Sequence, residues 1–257
     1  MVTLRVDGLE YGYSSSAVFS DISLEIEKGE VVSIVGRNGV GKSTLIKCIN
    51  CILKPKKGAV LIGEASVISM SQRQRAQRFG YLSQKNEQLF PATVFDVVLA
   101  GRYPHSPMRF THRDEEIAAE ILSMMELGAF ASRIFNHLSG GEQQQVLIAR
   151  ALAQGADVLL FDEPTNNLDL KHQLQIMRLI RTLAHEKGIT SVLAIHDLNF
   201  AAAFSDRVVV LHEGKVFANG TPVEVFTAEM VREAFGVEVK IYDHHGVPHV
   251  AVVEPND

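Results

Sequence analysis

Five uninterrupted apolar or small residues, Val31-Val32-Ser33-Ile34-Val35, run straight into Gly36-Arg37-Asn38-Gly39-Val40-Gly41-Lys42-Ser43-Thr44. A continuous run of this length reads as a strand buried on both faces of a parallel sheet. The segment after it matches G-x-x-x-x-G-K-[ST], the P-loop pattern. A helical stretch follows from Lys42 to about Ile52. Strand, glycine turn and helix together constrain the fold more than any other feature. The glycines let the backbone approach an anion and aim N–H groups at it. The helix N-terminus adds the positive end of its dipole. Lys42 is expected to reach the β- and γ-phosphates of a nucleotide, and the Ser43 hydroxyl to ligate Mg²⁺.

The rest of the chain extends an α/β pattern. Val2 to Leu9 and Ile22 to Ile26 alternate in part, as strands do, and Ala59 to Ile62 and Phe79 to Leu82 are short strand candidates. From Pro91 to Gln154 the character turns helical. Thr93 is a plausible N-cap, Thr111-x-x-Asp114 reads as a capping box, and a third helix spans Gly141 to Ala153. Strand and helix then alternate through Val158 to Phe161, Leu170 to His185, Ser191 to Ile195, Leu198 to Phe204 and Val208 to Leu211. Glu213-Gly214 marks a hairpin, and Thr221-Pro222 an N-cap followed by proline at the first helical position. Two weak strands near Val237 to Tyr242 and Val250 to Val253 close the chain.

Two further constellations carry chemistry. Val158-Leu159-Leu160-Phe161 is followed by Asp162-Glu163. A buried strand thus ends in two carboxylates, at the end where open α/β sheets bind ligands. Asp162 suits holding Mg²⁺ through water, and Glu163 suits polarising an attacking water. Leu138-Ser139-Gly140-Gly141-Glu142 precedes a helix. Serine and two glycines there make a second anion site by the same backbone logic. One chain needs one such site per γ-phosphate, so a second suggests phosphate sandwiched between two chains.

The ordered set resembles the nucleotide-binding subunit of an ATP-binding cassette (ABC) transporter. The set is the P-loop, then Tyr81-Leu82-Ser83-Gln84, Leu138 to Glu142, Asp162-Glu163, Asn166-Asn167-Leu168-Asp169, and Ala194-Ile195-His196. It spans about Leu4 to Gly220. The implied fold is an α/β P-loop NTPase cassette: a recombinase-like mixed-sheet core with an antiparallel β part and an inserted α-helical subdomain. The 257 residues would form one such domain, with a core at about 1–85 and 157–257 and the helical part at about 86–156.

The resemblance also implies roles. ATP would be held by Gly36, Asn38, Gly39, Gly41, Lys42, Ser43 and Thr44, with Tyr13 stacked on adenine and Tyr11 the weaker candidate. Ser139, Gly140, Gly141 and Glu142 would clamp ATP bound to a partner chain, and Asp169 would cross the dimer interface. Ser43, Gln84 and Asp162 would hold Mg²⁺. Glu163, His196, Lys42 and Gln84 would act in hydrolysis. Taken alone, several of these have blander readings: a core tyrosine, a solvated strand end at Gln84, a capping histidine at His196.

Thr93-Val94-Phe95-Asp96-Val97-Val98-Leu99-Ala100-Gly101-Arg102-Tyr103-Pro104-His105 resembles the corresponding segment of importers for iron–siderophore complexes, haem and cobalamin. That implies integral membrane permease subunits, a second copy of the chain and, indirectly, a substrate-binding protein as partners. The blander reading of Gly101 to Pro104 is a helix stop and loop. Arg37, where relatives commonly have proline, is expected to point outward. Gln143 stands where relatives often carry arginine.

Composition sets limits. There are 25 Lys and Arg against 30 Asp and Glu, so the chain is acidic, which disfavours a wholesale grip on nucleic acid. Arg73, Arg75 and Arg78 read as a solvated helix. No apolar run approaches the ~18–20 residues of a membrane span. Met1 to Glu10 carries no secretory signal pattern, so a soluble intracellular protein is the first expectation; the resemblance implies a site at the cytoplasmic face of a membrane, reached through permease subunits. Cys48 and Cys51 read as small fillers on the helix after the P-loop, and His244, His245 and His249 as a solvated tail. The alternatives left open are an ABC ATPase not attached to a transporter and a non-catalytic nucleotide-binding module. Glu163 and His196 argue against the second.

Overall fold

Strand β3 (Val31–Val35) is buried along its whole length, which explains why its sequence shows no polar–apolar alternation. The computed structural model describes residues 2–13, 16–83, 91–166 and 168–253. The chain divides into two units, Met1–Ser69 with Met177–Asp257, and Met70–Ile176.

The first unit opens with β1 (Val2–Tyr13) and β2 (Ser16–Glu27), continues through β3, α1 (Lys42–Ile49), β4 (Lys57–Ile62) and β5 (Ala65–Ser66). The second carries α2 (Gln72–Arg78), β6 (Phe79–Leu82), α3 (Val94–Leu99), α4 (His112–Met124), α5 (Gly140–Ala153), β7 (Val158–Asp162) and the start of α6 (Leu170–Lys187). The chain then returns to the first unit through β8 (Thr190–Ala194), α7 (Leu198–Phe204), β9 (Arg207–His212), β10 (Lys215–Gly220), α8 (Pro222–Val225), α9 (Ala228–Phe235), β11 (Val239–His244) and β12 (Val247–Val252).

Beside the antiparallel hairpin of β11 and β12, two larger sheets run through the first unit. In one, β3 pairs in parallel with β8 and with β9, and β10 folds back antiparallel on β9. The other is antiparallel, in the order β2-β1-β4-β5. Glu30 and Arg207 fasten the start of β3 to the start of β9. Arg207 Nε donates to Glu30 Oε1 at 2.6 Å, and its Nη2 donates to Oε2 at 2.9 Å. This fork geometry is the strong form of an ion pair.

In the second unit β6 and β7 pair in parallel, Phe79 opposite Val158 and Leu82 opposite Phe161. The helices α3, α4 and α5 are inserted between these two strands, and α3 packs on both α4 and α5. Capping boxes start α2, α3, α4 and α5 at Ser71, Thr93, Thr111 and Ser139. The expected antiparallel part, parallel strands and helical insertion are therefore all present.

Some boundaries differ from the sequence reading. Strand β1 runs on to Tyr13 because Tyr11, Gly12 and Tyr13 still pair with β2. Register shifts along that pairing break the alternation. Helix α1 stops at Ile49, not near Ile52. Asn50 caps it, and Cys51 takes a left-handed φ of 51°. Cys48 is buried as expected, but Cys51 lies in the turn beyond the helix and is half-buried. Burial pushes the Cys48 thiol up to about 12, so it stays protonated and inert. Among the described residues, no helix is long and apolar enough to cross a membrane.

Candidate functional site

The P-loop leaves β3 at Gly36, whose backbone passes so close to the Leu211 carbonyl oxygen that a Cβ there would collide with it. Gly41 has φ 109°, and a Cβ on it would lie 2.7 Å from Val18 Cγ1. These are two independent reasons, conformation and close approach, for glycine at the ends of the loop. Helix α1 begins at Lys42 with no side-chain cap and no acidic residue in its first turn. The helices with capping boxes at Ser71, Thr93, Thr111 and Ser139 satisfy their first N–H groups internally. A helix start without such a cap suits an anion.

Lys42 is 5% exposed. Its Nζ donates to the carbonyl oxygens of Gly36 at 2.8 Å and Arg37 at 3.2 Å. The ammonium is thus folded back over the loop, at the concave face where phosphate would sit. Ser43 and Thr44 are half-buried beside it, while Asn38 and Gly39 are exposed. Arg37 is exposed too, as its outward orientation requires.

Two more predicted residues belong to this unit. Ile34 pairs with Ala194, so Gly36 and His196 each lie two residues beyond a matched pair of parallel strands. Both leave the sheet at the same edge. His196 is exposed and precedes Asp197, which caps α7 by accepting from the N–H groups of Asn199 and Phe200. Tyr13 ends β1 and is 55% exposed, set edge-on to Tyr11 with ring centroids 5.2 Å apart. Tyr11 packs inward toward Phe19. The exposed ring of the pair is the one available for stacking.

The second unit holds the acidic strand end and the Ser139 turn. Asp162 is the last residue of β7 and is buried. The Tyr81 hydroxyl on β6 lies beside it, buried and outside hydrogen-bond geometry. Burial, with the Asp162 charge next, pushes the Tyr81 phenol up. Glu163 follows with φ 57°, a left-handed conformation that a non-glycine residue adopts at a cost. That turn swings its carboxylate out of the strand line, where Asn166 Nδ2 donates to Oε2 at 2.9 Å. No residue pattern around Asp162-Glu163 signals this strain.

Ser139 caps α5. Its hydroxyl and backbone N–H both donate to Glu142 Oε2, at 2.7 and 2.8 Å. Gly140 and Gly141 are the first helical residues. The Ser139 hydrogen bonds hold the Glu142 carboxyl below its ordinary range. Glu142 therefore orients the serine rather than projecting outward. Gln144 donates to the Pro164 carbonyl oxygen at 2.9 Å, which ties α5 to the turn after Glu163. Asp169 precedes α6 and accepts from His172. Gln84 lies outside the described residues, as does Asn167.

The model of the ABC transporter family matches residues 19–166 of the chain. The chain belongs to the ABC transporter family. An uncharacterised ABC transporter ATP-binding protein of Methanocaldococcus jannaschii is 44% identical over 98% of this cassette and 99% of its own length. A petrobactin import ATP-binding protein of Bacillus anthracis is 38% identical, over 93% of this cassette and 89% of its own length. A hemin import ATP-binding protein of Thermobifida fusca is 38% identical, over 98% and 89%. Among solved structures, a transporter described as metal-chelate type, in an inward-facing conformation, aligns at TM-score 0.85 and 28% identity. The alignment covers 98% of this cassette and 97% of that chain. A dimeric ATP-binding cassette bound to ADP and Pi aligns at TM-score 0.73 and 33% identity, over 85% and 98%. The cassette is an ATPase that binds adenine nucleotide.

Proposed function

We propose that this cassette energises uptake of a metal chelate, an iron–siderophore complex foremost and haem or cobalamin next. One observation carries the reading: relatives that match 93–98% of the chain are named for import of petrobactin, hemin, cobalamin and iron(3+)-hydroxamate. The Gly101-Arg102-Tyr103-Pro104-His105 segment supports the same branch.

In this reading ATP lies along Gly36, Asn38, Gly39, Gly41, Ser43 and Thr44, with adenine on Tyr13. Lys42 exchanges its carbonyl partners for phosphate oxygens. Phosphoryl transfer asks mainly for positioning and charge neutralisation. Glu163 polarises water. The water oxygen bonds to the γ-phosphorus, the bond to the ADP oxygen breaks, and the water proton passes toward the Glu163 carboxylate. His196 holds the γ-phosphate and the water in place, and Gln84 contacts Mg²⁺ and senses the membrane partner. Ser43, Asp162 and Gln84 are hard oxygen donors suited to Mg²⁺. Mg²⁺ supplies neutralisation of the charge that develops on the phosphates.

Two copies close head to tail. Ser139, Gly140 and Gly141 of one face the ATP on the P-loop of the other, and Asp169 crosses between them. Closure with ATP and reopening after hydrolysis move permease subunits at the cytoplasmic face of the membrane. The test is ATP-dependent uptake into vesicles holding the complex of this chain with its membrane subunits. Uptake of ferric siderophore, haem or cobalamin is expected; uptake of none of them overturns the branch and leaves the ATPase standing.

A further inference from the structure

His172, the third residue of α6, makes two contacts in the second unit that the hydrolytic reading leaves unexplained. Its ring Nδ1 lies 2.8 Å from Asp169 Oδ1, and its backbone N–H donates to the same oxygen at 2.9 Å. These hydrogen bonds hold the Asp169 carboxyl below its ordinary range. An ionised carboxylate only accepts, so Nδ1 carries the proton. The other contact is with α5. A Cβ built on Gly141 would fall on the His172 ring, meeting Cγ and Cδ2. Neighbouring Gly140 faces Leu168, with Cδ2 3.9 Å from its Cβ position.

A single imidazole therefore spans from the carboxylate before α6 to the second residue of α5. Asp169 is 66% exposed, so without the ring the His172 backbone N–H is the main hydrogen bond left to hold its side chain. We propose that His172 is a positioning residue for ATP hydrolysis: it fixes the Asp169 carboxylate and, through its ring on Gly141, the spacing of that carboxylate from the Ser139–Gly141 turn. The proposal rests on reading both groups as facing ATP on a second copy. A misplacement of about 1 Å in such a constellation costs up to roughly 10²-fold in rate. Glycine at 141 is then demanded by the ring as well as by phosphate.

The first test needs no activity. Nitrogen-15 spectra of the neutral His172 ring should show the Nδ1–H tautomer in the wild-type chain. In Asp169→Ala they should show the Nε2–H form that free histidine prefers. The second test is kinetic. His172→Ala should lower kcat about tenfold with KM for ATP unchanged. His172→Asn, whose amide nitrogen stands where Nδ1 was, should recover most of that loss. Gly141→Ala should be impaired alone, and in a His172→Ala background, where the ring that the methyl meets is gone, it should cost little further.

Matching thermal unfolding across the series separates positioning from folding. An Nε2–H ring in the wild type, an unimpaired His172→Ala, equal losses in the Ala and Asn variants, or a Gly141→Ala defect that ring removal does not relieve would each overturn the proposal. A wild-type chain that hydrolyses no ATP would instead contradict the functional reading, and the ring spectra would still decide on His172.

Discussion

The Arg102 guanidinium donates from Nε to Asp114 Oδ1 at 2.9 Å, with the two side chains 12% and 4% exposed. Arg102 also donates to the Ala153 carbonyl oxygen at 2.8 Å. Asp114 further accepts from Ser106 and from both the hydroxyl and backbone N–H of Thr111. This one buried pair pins the Gly101-to-Thr111 loop to α4 and α5.

Breaking that pair leaves a buried charge uncompensated. Arg102→Met should destabilise the protein by about 3–5 kcal/mol, read by chemical denaturation. Replacing both partners by apolar residues should cost less than the single change.

Acid should act through the same group. The Thr111 hydrogen bonds first, then those from Ser106 and Arg102, hold Asp114 well below its ordinary value of 3.8. A depressed folded-state pKa stabilises the fold fully above the ordinary value, and the contribution is lost as pH falls through the folded value. Unfolding midpoints should therefore be insensitive to this group between neutral pH and about 5, then fall on acidification. Asp114→Asn should start lower and show a shallower fall.

Tyr13 offers its exposed face while Tyr11 is turned toward Phe19. Tyr13→Ala should weaken ATP binding roughly tenfold, in line with the loss of one base–aromatic stack. Tyr13→Phe should bind normally, and Tyr11→Phe should leave affinity unchanged. Calorimetric titration with ATP reads all three.

The P-loop should tolerate no side chain at Gly41. Gly41→Ala meets Val18 and a φ of 109° together. It should lose most of the rise in unfolding temperature that ATP gives the wild-type chain. Val18→Ala added to it should recover only part, because the strained backbone remains.

Features set by near neighbours in the chain could be read from the sequence. The Thr111–Asp114 capping box, the helix from Leu198 to Phe204, the Glu213-Gly214 turn and the buried run before Asp162 all formed as local chemistry dictates. The family of the chain was legible too, because its motifs are short and ordered. What escaped depends on residues far apart. Glu30 and Arg207 are separated by 177 positions. The contact between His172 and Gly141 exists only once α5 and α6 pack, and no periodicity announces it. The left-handed backbone at Glu163 was hidden because any residue type can be forced into it by its surroundings. The His245-Gly246 turn, with both φ values positive, lies between two strands whose weak alternation does not announce a hairpin.

Glu163, turned out of β7, is the group proposed to polarise the water that attacks ATP. Steady-state ADP release by Glu163→Gln, measured beside the wild-type chain, tests it most directly. A rate lower by roughly 10²–10⁴-fold is expected, with ATP retained on a dimeric chain. Release at the wild-type rate would contradict it.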